Sequence, residues 1–268
     1  MIKVLDQGYV QPVEHWGSDE RIVEAARMST DKGFLGWGPV TKHMRQCSHC
    51  MIIEDEPGGK GDCPLFNGPH SWFTEAGSGV DRQVAGDEKL LKYLYDHKHM
   101  TPFEMAGMTI EVQAPIFVFR EWHRHRTQSY NELSSRYTPL PDMFYIPSVE
   151  RLMMAKQAAT NKQGSEMGIT AAYAEDIRLA LAASYGNARM LYTSLLGSGV
   201  AREVARLCIP VAQYSRMRAS ANLRNWLQFL TLRMDPAAQW EIRQYAEAVG
   251  SLVAERFPRT WQLFTGAA

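Results

Sequence analysis

With 268 residues, 45% of them hydrophobic, the chain can bury a sizeable core as one domain or two small ones. Its 29 basic and 29 acidic residues cancel, which excludes bulk attraction to nucleic acid or anionic lipid and makes any phosphate recognition local. Four cysteines make no disulfide scaffold, no segment has the length and apolarity of a membrane span, and the start, MIKVLDQGYV, has no signal-peptide character, so a cytoplasmic protein is expected.

In chain order, residues 2–10 carry Ile2, Val4 and Leu5 and predict a short strand. Ser18 or Asp19 can cap a helix to about Met28, with Ile22, Val23 and Ala26 as its apolar stripe. Gly33, Gly36, Gly38 and Pro39 mark loop. From there to Gly86 the chain is rich in glycine, proline and acidic residues, with Phe66, Trp72 and Phe73 scattered through it. It reads as a mostly irregular insertion at about 33–86 in a single domain spanning 1–268. The insertion holds Cys47 and Cys50 as a CxxC pair, then Cys63, with His43, His49 and His70 nearby. The pair, Cys63 and a histidine such as His43 could complete a tetrahedral structural zinc site. Buried thiols or a redox pair are the competing readings.

Leu90, Leu91 and Leu94 sit at helical spacing within 87–98. Pro102 disfavours helix at Thr101 and suits a new start. Met108, Ile110 and Val112 alternate with Thr109, Glu111 and Gln113, the pattern of a half-buried strand. Pro115 closes it and opens a helix through Phe119 and Trp122, on which Arg120 and Arg124 would share a face. The polar residues after Arg126 are expected as a turn. Pro139, Pro141 and Pro147 make 138–148 a loop; 150–159 reads as a short helix, and 171–196 as a long alanine-rich one. Residues 201–208 continue helical, with Cys208 as a core thiol. Ser220 is expected to cap a helix over 221–232, and Pro236 to start the last one, to about Phe257. The sum is α+β, a few strands with several long helices, without a dinucleotide glycine fingerprint or a P-loop.

One run stands apart. Residues 120–137, REWHRHRTQSYNELSSRY, gather Arg120, Arg124, Arg126 and Arg136 with His123 and His125, then Ser129, Asn131, Glu132, Ser134 and Ser135. Arginine is a poor core residue, and its planar fork suits bidentate contacts to phosphate or carboxylate. Such a concentration in a neutral chain points to a local anion site. The bland alternative is a solvated helix face followed by a polar loop.

Arg124-His125-Arg126, seven residues, then Ser134 resembles the RHRx7S signature of the flavin-dependent thymidylate synthases. The wider stretch 124–137 agrees, as do His99-Met100-Thr101-Pro102-Phe103-Glu104 upstream and Arg206…Pro210, Asn222-Leu223-Arg224 and 229–243 downstream. The resemblance covers about 87–258 and a short N-terminal strand and helix, but not 33–86. It implies a family-specific α+β fold and a homotetramer whose active sites draw on more than one chain. The implied reaction is reductive methylation of dUMP at C5, with methylenetetrahydrofolate as carbon donor and NADPH reducing bound FAD.

By the same resemblance, Thr101, Arg124, His125 and Arg126 hold FAD, joined by Asn222, Arg224 and Gln228, with His99 near flavin and substrate. Glu121, Arg124 and Glu132 hold the nucleotide together with Leu133, Ser134, Ser135 and Arg136, and Arg206 and Arg233 complete the set. Arg233 is implied to stabilise negative charge on the uracil as C5 becomes nucleophilic; an anionic base and a phosphomonoester both call for fixed donors. Ser134 is a catalytic candidate but is not read as a nucleophile, because no recognisable Asp–His motif activates it and G-x-S-x-G is absent. The family commonly has glutamine at the Glu121 position, often histidine at Ala237 and asparagine at Gln228. These departures leave open whether the sugar is deoxyribose or ribose, so UMP or another pyrimidine nucleotide is the alternative substrate. A zinc-containing nucleic-acid-binding module is the third reading; the neutral chain weighs against it. The insertion could serve as a lid or an intersubunit clamp.

Overall fold

The computed structural model describes residues 1–47, 53–54, 62–63, 68–69, 79–154, 156–157, 165–166 and 168–267, without the side chains of 42–46, 53–54, 62–63, 68–69, 79–82, 156–157 and 165–166. The chain divides into two units, Met1–Ile22 with Met100–Ala268, and Val23–His99.

The first unit is built on a five-stranded antiparallel sheet. Its strands are β1 (Ile2–Val4), β2 (Gly8–Trp16), β3 (Gly107–Pro115), β4 (Ser129–Glu132) and β5 (Tyr214–Asn222), in the order β1-β2-β3-β5-β4. Register pairs Val10 and Met217 with Val112, and Ala219 with Ile110. Since side chains alternate across a strand, these residues form one buried apolar face, while Arg216, Arg218, Glu111 and Asn131 line the other. The helices are α1 (Asp19–Arg27, of which Val23–Arg27 count with the second unit), α2 (Ile116–Trp122), α3 (Val149–Met153), α4 (Ala171–Gly197), α5 (Leu223–Arg233), α6 (Trp240–Arg256) and α7 (Pro258–Thr265). Between the apolar sheet face and α2, α5 and α6, the ring of Trp122 stacks on Phe229 at 4.6 Å, and Trp226 meets Phe229 edge-on at 5.8 Å. Each such ring stabilises the fold by about 2–3 kcal/mol. Trp226 Nε1 also donates to the Met108 carbonyl at 3.0 Å, locking α5 to β3.

Several sequence expectations change. Residues 2–10 are not one strand: the chain turns at residues 5–7 and returns as β2. Gly8 is required there, because a Cβ would lie 2.0 Å from the Tyr245 hydroxyl. The stretch after Arg126 is not a plain turn but β4, paired with β5. Ser220 is a strand residue; the α5 cap is Asn222, whose side chain accepts from Asn225 N at 3.0 Å. The alternation of Arg216, Arg218 and Ser220 with Met217, Ala219 and Ala221 is the strand signal that the helix reading passed over. Helix α2 ends at Trp122, so Arg124 leaves the helix and does not share its face with Arg120. The helix expected from Pro236 to about Phe257 ends there but starts at Trp240, and a further helix, α7, follows it, capped by the buried Asp19 carboxylate. Asp19 accepts from Arg259 N at 2.8 Å and the Thr260 hydroxyl at 2.6 Å. Cys208 packs beside Leu140, Tyr192 and Ala205, its thiol 3.3 Å from the Ala205 carbonyl.

The second unit carries a helix at Glu88–Asp96 and an antiparallel pair, Val40–Gln46 with Gly79–Val84. Asp87 is its buried anchor, accepting from Leu35 N at 2.7 Å and Arg27 Nε at 3.0 Å. The stretch 33–86 falls within this unit. Of the expected zinc set, Cys50 and the side chains of His43 and Cys63 lie outside the described residues, while Cys47 is buried. Among the described residues, no three His, Cys, Asp or Glu side chains converge on a metal position.

Candidate active site

The arginine run sits where α2 meets β4. After Trp122 the chain makes tight turns, with His125 N bonded to the Trp122 carbonyl at 3.0 Å. Tyr130, on β4, pins these turns: its hydroxyl lies 2.7 Å from the His125 carbonyl and 3.1 Å from that of Trp122. Burial pushes the Tyr130 phenol up to about 12, so it stays a neutral donor. The Trp122 indole donates to Gln128 Oε1 at 3.1 Å. With the turn held from inside, Arg124 and Arg126 are left pointing outward.

Two clefts open here. One, of about 520 Å³, is lined by Arg120, Glu121, His123, Arg124 and Arg126. Among the described residues, the guanidiniums of Arg120, Arg124 and Arg126 have no ion-pair partner. The other, of about 530 Å³, has Arg120, Glu132, Ser134, Ser135, Arg206 and Ser215 as its polar lining, with Leu133, Leu140, Leu207 and Ile209 among its apolar walls. Arg206 donates to Ser135 Oγ at 2.8 Å. Ser134 Oγ accepts from Arg136 N at 3.3 Å and starts the turn that carries Arg136 outward, where it pairs with Glu203 at 3.2 Å. Leu140 reaches this cleft because Gln213 holds its loop, donating to the carbonyls of Pro141 at 2.8 Å and Met143 at 3.0 Å.

Arg233, the last residue of α5, is the most constrained of the expected site residues. Its Nε donates to His125 Nε2 at 2.9 Å, one terminal nitrogen donates to the Glu121 carboxylate at 2.9 Å, and the other to the Glu121 carbonyl at 2.9 Å. Burial, then the Arg233 charge, lowers the His125 pKa to about 4. His125 is therefore neutral at physiological pH, the state that can accept from a guanidinium.

Arg224 and Gln228 stand one turn apart on the exposed side of α5. Arg224 pairs with Glu104, from the short turn of helix at Thr101–Met105 that packs on α5. Asn222 lies at the head of α5, and Gly107 lets β3 pass it: a Cβ there would come within 2.5 Å of the Ala221 carbonyl. His99 belongs to the second unit. The structure thus gathers Glu132, Leu133, Ser134, Ser135 and Arg206 around one cleft, Glu121, Arg124 and Arg126 around another, and Thr101, Asn222, Arg224 and Gln228 about α5. Arg120 and Ser215, which also line the clefts, were missing from the sequence-derived set. Arg120 had a signal, as the first arginine of the run. Ser215 had none, since its place in a strand went unread.

A family model described as thymidylate synthase complementing protein matches residues 12–259. A flavin-dependent thymidylate synthase of Thermus thermophilus is 38% identical over 263 residues, 98% of this chain and 77% of that protein. The chain belongs to the flavin-dependent thymidylate synthase family. Another relative so named, from Thermotoga neapolitana, is 34% identical, with 98% of this chain and 93% of that protein covered. Among solved structures, a UMP/dUMP methylase PolB from Streptomyces cacaoi bound with 5-Br UMP is similar with a TM-score of 0.72 and 30% identity, over 99% of this chain and 97% of that one. The same methylase bound with 5-Br dUMP gives 0.71. The α+β fold, with its antiparallel sheet and long helices, is that of the family.

Proposed function

We propose that the enzyme methylates dUMP at C5 to dTMP, with methylenetetrahydrofolate as carbon donor and NADPH as reductant through bound FAD. The observation that carries this reading is the convergence of Arg120, Arg124 and Arg126, guanidiniums without an ion-pair partner among the described residues, on one cleft beside a second lined by Ser134, Ser135 and Arg206. Two adjoining anion sites suit a phosphorylated cofactor and a nucleoside monophosphate.

The residues present fit FAD. Arg124 and Arg126 offer donors to its diphosphate, and the exposed Arg224–Gln228 edge of α5 offers more. When bound, reduced FAD supplies the hydride for the reductive step. The chain's own residues bind and polarise. Ser134, Ser135 and Arg136 receive the nucleotide phosphate, and Arg206 holds the nucleotide. Arg233 keeps a positive charge beside the uracil, where negative charge builds as C5 becomes nucleophilic. Ser134 contributes a hydrogen bond to the bound nucleotide, not a nucleophile: its described bond is to a backbone N–H, and among the described residues no general base is bonded to it.

A homotetramer is part of the proposal. Helix α4 runs 27 residues yet buries Ala174 and Tyr192 alone, and it exposes Tyr173, Leu179, Met190 and Leu191 by 50% or more. Such a face suits burial against further copies of the chain. Among the described residues no helix is long and apolar enough to cross a membrane.

UMP is the second reading, favoured by the similarity to a methylase named for both nucleotides. The test is product mass spectrometry after incubating the protein with FAD, NADPH, methylenetetrahydrofolate and equal dUMP and UMP at low oxygen. Predominant dTMP is expected. Predominant 5-methyl-UMP would shift the substrate to the ribonucleotide, and the absence of any methylated nucleotide would overturn the reaction.

A further inference from the structure

We propose that His125 is a positioning residue for Arg233: with Glu121 it fixes the guanidinium so that one N–H on each terminal nitrogen is presented to the substrate base. This rests on the methylation reading above. A guanidinium has five N–H bonds. Three of Arg233's are engaged inside the protein, Nε to His125 Nε2, one terminal nitrogen to the Glu121 carboxylate and the other to the Glu121 carbonyl, each at 2.9 Å. One N–H on each terminal nitrogen is left for acceptors on a pyrimidine ring.

The clamp explains why an imidazole stands here. Nε–H of Arg233 donates, so His125 Nε2 accepts and the imidazole proton sits on Nδ1. The ring also packs edge-on to Phe229 at 4.9 Å, and Phe229 lies under Trp122 at 4.6 Å. A residue that places an acceptor beside Arg233 and packs on an aromatic core joins the orientation of the guanidinium to the rigid part of the fold. The resemblance implied a flavin-binding part for His125, yet its side chain is buried and turned toward Arg233. Arg124 and Arg126, on either side of it, face outward.

Acceptor and ring can be separated by two substitutions. His125→Gln keeps an acceptor near the Nε2 position and loses the aromatic contact. His125→Phe keeps the ring and loses the acceptor. In the FAD-loaded full-length protein, the expected order of activity is the reverse of the order of stability. His125→Phe melts at or above His125→Gln, yet loses about 100-fold in kcat/KM for the nucleotide, while His125→Gln recovers roughly tenfold of that loss. dUMP affinity by calorimetry follows the activity order, and FAD affinity by flavin fluorescence stays within about twofold of wild type. If activity instead follows stability, or falls in step with FAD affinity, the positioning role is wrong. A wild-type protein that forms no methylated nucleotide would refute the reaction; the dUMP affinities would then still decide the clamp, equal values for the two variants overturning it.

Discussion

The first unit holds two arginine–carboxylate pairs of similar length that do opposite things. Arg151 and Glu241 meet at 2.7 Å, with side chains 15% and 5% exposed. The Glu241 carboxylate also accepts from Tyr145 at 3.3 Å and Gln239 at 3.0 Å, and Arg151 lies over the Trp240 ring. Desolvation beside this carboxylate drives the Tyr145 phenol far above its ordinary range. This pair is closed at its carboxylate, which is buried and filled by Arg151, Tyr145 and Gln239, and it ties α3 to α6. Arg233 and Glu121 meet at 2.9 Å, but the carboxylate is 41% exposed and borders the arginine-lined cleft. This pair is open at its carboxylate, which among the described residues only Arg233 meets. Pairing alone therefore separates nothing; the burial of the carboxylate and the number of its other donors tell a structural pair from a working one.

The sharpest way to break that contrast is to truncate each arginine. Arg233→Ala should lower turnover by about 100- to 1000-fold while costing no more than about 1 kcal/mol in denaturant-measured stability, since Glu121 can be solvated. Arg151→Ala should do the opposite, destabilising by about 3–5 kcal/mol because it leaves Glu241 buried without its cation. A smaller effect belongs to pH. The His125 pKa is about 4 in the folded chain, against about 6.5 for an unperturbed imidazole. Between those values the unfolded chain binds the proton and the folded one does not, so stability falls as pH drops through this window, by up to about 3 kcal/mol. Chemical denaturation at pH 7, 5.5 and 4.5 reads this, and the slope should shrink in His125→Gln. Smallest is Ser134→Ala, expected to lower kcat/KM by roughly 3- to 10-fold; complete loss with intact flavin and nucleotide binding would point to covalent chemistry.

The sequence made the site more legible than the sheet. Residues 120–137 announced themselves because arginines in a neutral chain need a reason, and the structure brings half of that run to two adjoining clefts. The strand β5 went unread, apart from Ser220 to Asn222, which were given to the following helix and its cap; its pairing with β3 and β4, far away in sequence, is what fixes the extended form. The inward turn of His125 was invisible for a related reason. Its partner lies 108 residues away, and no local pattern says which of two neighbouring histidines faces the core. The cap of α5 slipped by two residues, from Ser220 to Asn222, because both are good caps and the strand takes the first.

The most direct test is calorimetric titration of dUMP into FAD-loaded wild type, Arg233→Ala and Arg151→Ala, at a temperature where all three are folded. The account predicts that Arg233→Ala weakens dUMP binding by at least about tenfold, while Arg151→Ala binds as wild type does despite its lower melting temperature. Unchanged affinity in Arg233→Ala, or a loss confined to Arg151→Ala, would contradict it.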